Sequence, residues 1–350
     1  MNTRLIRYEI HKLLFSYRVI WLAVAFLLIK AVIICILPEI KDSRISASKK
    51  QYEKVLEKIE GETSPQKEQY IFDMHRHYRS VIEQYHDNLN LYLSGLMDED
   101  TWNDYTDEYN QALLYGNAYS IFNEKAEAFA SLRSNHNLPF QAFFYEYGWN
   151  SVFTYMSFPD PILCIFAVIL GIQFICPEIS SGALKIALTS KNGRRSLFMS
   201  KLVSLLILLG CTAVIDIIIE TVIFSLRFYL KEGHWPLYSI TPFVSFPIKL
   251  CLNKAFALLL IVRHTGFMLA GIFAFCLACL TGNASYSIFF FILMILLPLL
   301  TIPQISFTLS AWLSGTPVLK GEYRAASLAV LTAASAIASR LSYRIRFKSN

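Results

Sequence analysis

Long apolar runs separated by short polar breaks set the organisation of most of this chain. The first covers residues 19–37, VIWLAVAFLLIKAVIICIL, with Lys30 as its one charge. As a helix it reaches about 28 Å, enough to cross a hydrocarbon core of about 30 Å. Comparable runs occupy 159–177, 202–226, 256–280 and 286–302, and a shorter run rich in Ala and Ser occupies 324–340. The pattern predicts an all-α integral membrane protein with six transmembrane helices at these positions. Ahead of the first, Ile6, Ile10, Leu13, Leu14 and Tyr17 fall on one helical face and Arg4, His11 and Arg18 on another. Residues 1–18 therefore read as an interfacial helix on the cytoplasmic side. No small-x-small cleavage site follows the first run, so it reads as an uncleaved span.

Residues 38–158 follow a different pattern. Ile71, Met74, Tyr78, Ile82 and Tyr85 recur at helical spacing, and Leu89 and Tyr92 extend the stripe. Helices are predicted over 46–60, 66–93 and 99–134, with breaks at 61–65 and 94–98. The aromatic stretch 140–158 is predicted to lie at headgroup level and to lead into the second span. In the second half, 244–255 reads as an interfacial piece, 303–323 as an outer re-entrant or interfacial segment, and 341–350 as a basic cytoplasmic tail.

Composition sharpens this picture. Of 350 residues 55% are hydrophobic, and the mean hydropathy is +0.42, beyond an ordinary soluble domain. The net charge of +6 conceals an asymmetry. Residues 39–157 carry 19 Asp and Glu against 11 Lys and Arg, whereas the remainder carries 7 against 21. An acidic helical insert on the extracytoplasmic side, framed by positive-inside flanks, accounts for both halves, and nucleic acid is not implied. None of the seven cysteines lies in the insert, which is expected to fold without disulfides. Cys276 and Cys279 spell C-x-x-C inside an apolar span and read as small buried residues. His75 and His77 are two apart and cannot share a helix face as a zinc pair; with His86 and His136 they read as solvated side chains, and no metal is expected.

Charges inside the spans are the candidate pathway or structural groups. Lys30 is expected to snorkel. Asp216 and Glu220, at i and i+4, are expected to pair with Lys30 or Arg263, to face a translocation path, or, in the outer half of a long span, only to approach the exterior surface. Arg263 and His264 fall on the predicted outer side and fit the positive-inside rule worst. The chain contains no G-x-x-x-x-G-K-[ST] phosphate loop, no G-x-S-x-G and no H-E-x-x-H. It is expected to be non-catalytic, with energy supplied by another subunit.

Residues 178–201, EISSGALKIALTSKNGRRSLFMSK, are a polar, basic island between two apolar runs. Glu178 and Gly182 stand four apart and share one side of a predicted amphipathic helix at the membrane surface, whose apolar stripe runs from Ala183 to Leu188; a basic turn follows, then Lys201 at the next span. This order resembles the first cytoplasmic loop of ABC-2 type transporter permeases, approximately E-x-x-x-G-x-L, a Pro or Ser with an Arg, and a Lys before the third span. Lys191 and Asn192 stand where that family often has Pro. The resemblance implies the ABC-2, type V exporter-like topology, and Glu178, Gly182, Leu184, Lys185, Leu188, Lys191, Arg194 and Arg195 as the contact with a separate ABC ATPase subunit. It further implies ATP and Mg on that partner and no cofactor on this chain, and pairing with a second copy or a related permease. The expected location is the bacterial plasma membrane, with both termini cytoplasmic and the function of an exporter's permease subunit. The alternative is a membrane-anchored sensor or binding protein that uses the acidic insert.

Overall fold

The structure, a computed structural model, describes residues 3–16, 18–46, 48–136, 138, 141–189, 193–244, 248–301, 309–314 and 324–348. The chain divides into two compact units. One comprises Met1–Leu37, Val152–Tyr229 and Phe256–Asn350, and the other Pro38–Ser151 and Leu230–Ala255.

The first unit is built from apolar helices. Among the described residues, four are long and apolar enough to cross a membrane: Val19–Ile36, Pro161–Ser180, Arg194–Phe228 and Leu252–Thr281. Ala284–Thr301 and Arg324–Ser342 follow them in the chain. Of the predicted segment 303–323 only the helix Leu309–Ser314 is described; its other residues lie outside the described set. The second apolar helix begins where the sequence dictates. Asp160 caps it by accepting from the backbone N–H groups of Ile162 and Leu163 at 2.9 and 3.1 Å, and Pro161 fills the first helical position, where no N–H is needed. Its regular run ends at Gln173, and Cys176–Ser180 continues it as a separate turn. Gly171 of this helix touches the fourth so closely that a Cβ would lie 2.8 Å from Gly271 O and Phe275 N. Glycine is what lets two backbones meet there without hydrocarbon between them. The first apolar helix turns most of its side chains outward, among them Trp21, Leu28, Val32 and Ile36, as a lipid-facing helix does.

The second unit is a helical body with the helices Lys49–Ile59, Pro65–Glu83, Tyr85–Leu93 and Glu99–His136. Ser64 caps the second of these through Lys67 N, again with Pro at the first position. The predicted helix 66–93 is interrupted at Gln84. Tyr52, Ile59, Ile71, Phe122, Phe129 and Phe143 form its core. A two-stranded antiparallel sheet, Gly61–Glu62 with Ala142–Phe143, was not predicted. Arg133 fastens the longest helix to the second through both oxygens of Glu68, at 2.7 and 2.6 Å.

Two expectations about this unit are corrected. Phe143, Phe144, Tyr147 and Trp149 were expected at headgroup level, yet they are buried inside the protein, because aromatic density marks a core as readily as an interface. The insert also recruits a second stretch, Leu230–Ala255. Within it, Ser239 Oγ accepts from Ala142 N at 3.3 Å, and Thr241 donates to Glu146 from both its N and Oγ1, at 2.9 and 3.0 Å.

Lys125 lies fully inside this unit, its Nζ 3.1 Å from Glu146 Oε2. Burial pulls its ammonium below the usual lysine range, and Glu146 opposes the shift. Between that lowered native value and the free-lysine value of about 10.4 the unfolded chain therefore binds more protons than the native one, so this group's contribution to stability rises with pH across that window. Chemical denaturation followed by tryptophan fluorescence is expected to show that slope in the wild type and a flatter profile in Lys125→Met.

Candidate functional site

Charge buried among the apolar helices must be paired, and the first unit solves this with two separate networks. The smaller one surrounds Lys201, eight residues into the long helix Gly193–Phe228 and with no exposed surface. Its Nζ donates to Glu9 Oε2 at 3.0 Å, Glu178 Oε1 at 2.6 Å and the Phe174 carbonyl at 3.3 Å. Lys12 also pairs with Glu178, and Ser204 Oγ donates to the Ile6 carbonyl at 3.3 Å. The N-terminal helix Thr3–His11 with its continuation Lys12–Ser16, the turn Cys176–Ser180 and the third apolar helix are thereby tied at one point.

The island 178–201 is consequently arranged differently from its sequence reading. Glu178 and Gly182 do not share a helix: Gly182 has φ +73°, a left-handed conformation that ends the turn carrying Glu178 and precedes a new helix, Ala183–Leu188. Leu184 and Leu188 are buried beneath that helix. Lys185, Ile186 and Ala187 are exposed, Ile186 at 76%. Arg194 and Arg195, expected in a turn, belong to the first turn of the third apolar helix, and Arg194 Nε donates to the Leu188 carbonyl at 2.9 Å. Lys191 lies outside the described residues.

The larger network joins all four long apolar helices. Lys30 does not snorkel: only 2% of it is exposed. Its ammonium pairs with Asp216, with Glu220 Oε1 at 2.8 Å and with Asp160 Oδ2 at 3.0 Å. Arg263 reaches Glu220 Oε1 at 3.2 Å, Asp160 Oδ2 at 3.5 Å and the Leu313 carbonyl at 3.3 Å. His264 Nδ1 lies 2.8 Å from the Leu260 carbonyl and Nε2 3.0 Å from Asp216 Oδ2. A carbonyl only accepts, so Nδ1 must carry a hydrogen. The contact on the other side of the ring then needs a second proton, on Nε2 or on the carboxyl.

That proton completes the charge balance. Lys30 and Arg263 offset two of the three carboxylates Asp160, Asp216 and Glu220, and the proton shared by His264 and Asp216 offsets the third. The ligand atoms of Asp216, Glu220 and His264 lie within 4.8 Å of one another, a spacing a cation would accept. The trio does not fit a metal ion, because the Lys30 ammonium already bonds both its carboxylates.

The i, i+4 spacing marked Asp216 and Glu220 in the sequence, and their pairing with Lys30 and Arg263 was one of the alternatives left open. Asp160 was missed because Pro-Asp-Pro reads as a break, although an acid at a helix entry is a capping signal. Glu9 and Lys12 were missed because the apolar stripe alone defines the amphipathic face. His264 was legible only as a misfit to the positive-inside rule.

Helices of this length and hydrophobicity, stitched by buried ion pairs at two positions, define a multi-pass membrane protein. A profile of the family described as ABC-2 family transporter protein matches residues 4–330, nearly the whole chain. The chain belongs to that family, and it is a transmembrane permease of the ABC transporter class. No curated protein and no solved structure matches it.

Removing one partner of a buried ion pair costs about 3–5 kcal/mol. Lys201→Met, which leaves Glu9 and Glu178 without their shared cation, is expected to lose stability on that scale, read as loss of monodisperse protein after heating in detergent. Lys185→Met, on the exposed helix, is expected to change it by less than about 0.5 kcal/mol.

Proposed function

We propose that the chain is the permease subunit of an ATP-driven exporter, with six spans, both termini on the cytoplasmic side, the acidic insert outside, and a second permease half beside it in the plasma membrane. The family match across residues 4–330 carries this reading. ATP and Mg belong to a separate ATPase subunit, since this chain has no phosphate loop.

In this reading the helix Ala183–Leu188 is the seat of the ATPase. Leu184 and Leu188 fix it from beneath, and Lys185, Ile186 and Ala187 offer the outward surface. Glu178 and Gly182 act behind that surface, Glu178 as an anchor on Lys201 and Gly182 as the joint between anchor and seat. Movement of the seat passes through Arg194 and the Leu188 carbonyl into the third apolar helix. That helix runs unbroken from Gly193 to Phe228 and carries Asp216 and Glu220. A short push at one end is thereby delivered to the larger charge network.

The reading as a sensor that merely anchors the acidic insert is disfavoured, because an anchor has no use for buried charge linking four helices. Copurification separates the two. A soluble ATPase is expected to copurify in stoichiometric amount with the wild type, and Ile186→Asp is expected to lower its recovery at least fivefold at unchanged thermal stability. Absence of any ATPase, or equal recovery with the variant, counts against the permease reading.

A further inference from the structure

The larger network is not sealed on every side. A cavity of about 250 Å³ opens onto it within the first unit. Its floor is Lys30, Asp160, Glu220 and Arg263, and its walls include Ile33, Ile34, Leu37, Phe158, Ile162 and Phe224. One end of the space is therefore ionic and the rest aliphatic and aromatic, which is the profile of an amphiphile. At about 30 Å³ per water-sized group, it accommodates about eight non-hydrogen atoms.

The floor itself states what the polar end must be. In this network two buried oxygens lack any hydrogen-bond partner, Asp216 Oδ1 and Glu220 Oε2. Both are acceptors, and Glu220, 1% exposed, lines the cavity. An unpartnered buried acceptor is destabilising, because it has given up its bonds to water without replacement, and a ligand that brings N–H donors relieves it. The fixed charges name the ligand's sign as well. Lys30 and Arg263 leave one of the three carboxylates uncompensated, so the network has room for one further positive charge. The proton between His264 and Asp216 fills that place, and a bound cation can fill it instead.

We propose that this cavity is a binding site for a primary alkylammonium group: the ammonium donates to Glu220 Oε2, its chain lies along Ile33, Ile34 and Phe224, and its entry releases the proton shared by His264 and Asp216 to solvent. The groups facing that pair are Lys30 from the first apolar helix, Asp160 from the start of the second, Glu220 from the third and Arg263 from the fourth. This site stands on the geometry of the first unit alone, and its failure leaves the permease reading untouched.

Hexylammonium, seven non-hydrogen atoms long, fits the volume and tests the proposal on the full chain in lipid nanodiscs by titration calorimetry. Hexanol and hexanoate serve as partners of the same length that lack, respectively, the charge and any donor. Expected are one saturable hexylammonium site per chain, at least tenfold weaker binding of hexanol and hexanoate, and acidification of weakly buffered solution by about one proton per amine bound. Glu220→Gln is expected to weaken the amine at least tenfold. Because that substitution also touches the ion pairs, Ile33→Trp serves beside it: it fills the aliphatic wall without altering the floor and is expected to abolish binding at wild-type thermal stability. Equal binding of hexanol and hexylammonium, binding without proton release, or indifference of folded Ile33→Trp to the loss of space overturns the proposal.

Discussion

A bare charge in hydrocarbon is so costly that its position dictates the position of everything able to neutralise it. In this chain that constraint acts twice. Lys201 draws Glu9 and Glu178 to one spot, and Lys30 with Arg263 draws Asp160, Asp216 and Glu220 to another. Between apolar helices, van der Waals packing alone discriminates poorly among rotations and vertical offsets, because one greasy face resembles another. Ion pairs tolerate no such slippage. The two networks are therefore what gives the helices a unique register, while small residues such as Gly171 set how closely they approach.

The parts of the fold that depend on local pattern were legible in the sequence. The apolar runs are helical, the chain breaks at 61–64 and at 94–98, and the long helix begins at Glu99. What depends on pairing across distance was legible only as one alternative, for Asp216 and Glu220 with Lys30 or Arg263, and not at all for Lys201 with Glu9. Lys30 and Asp216 are separated by 186 positions, Lys201 and Glu9 by 192, and neither periodicity nor propensity links residues so far apart. The bare chain permits a snorkelling lysine and a buried one alike, since a four-carbon stem serves both. Local reading also failed where one signal has two physical meanings. Aromatics such as Phe143, Phe144, Tyr147 and Trp149 serve a protein core as well as a headgroup layer, and a glycine four positions after an acid can continue a helix or, with positive φ, end it.

The candidate site was legible to the same extent. Asp216 and Glu220 declared themselves by standing in an apolar span one helical turn apart. Their partner Asp160 was hidden because it also performs a local task, accepting two backbone N–H groups at the helix entry, so nothing about it called for a remote explanation. His264 illustrates the reverse case: a residue that breaks a topological rule was reporting a specific partner. Within the island, one of the residues expected to meet another protein, Glu178, is buried, while another, Lys185, is exposed beside Ile186 and Ala187.

The tie between Glu9 and Lys201 also constrains how the protein is made. The chain is synthesised from its first residue at about 5–20 residues per second, and Lys201 follows Glu9 by 192 positions. The N-terminal helix is therefore complete about 10–40 s before its anchoring partner leaves the ribosome. Until then Glu9 lacks the cation that neutralises it in the folded protein. Docking of that helix is thus a late event, postponed until Lys201 has been made.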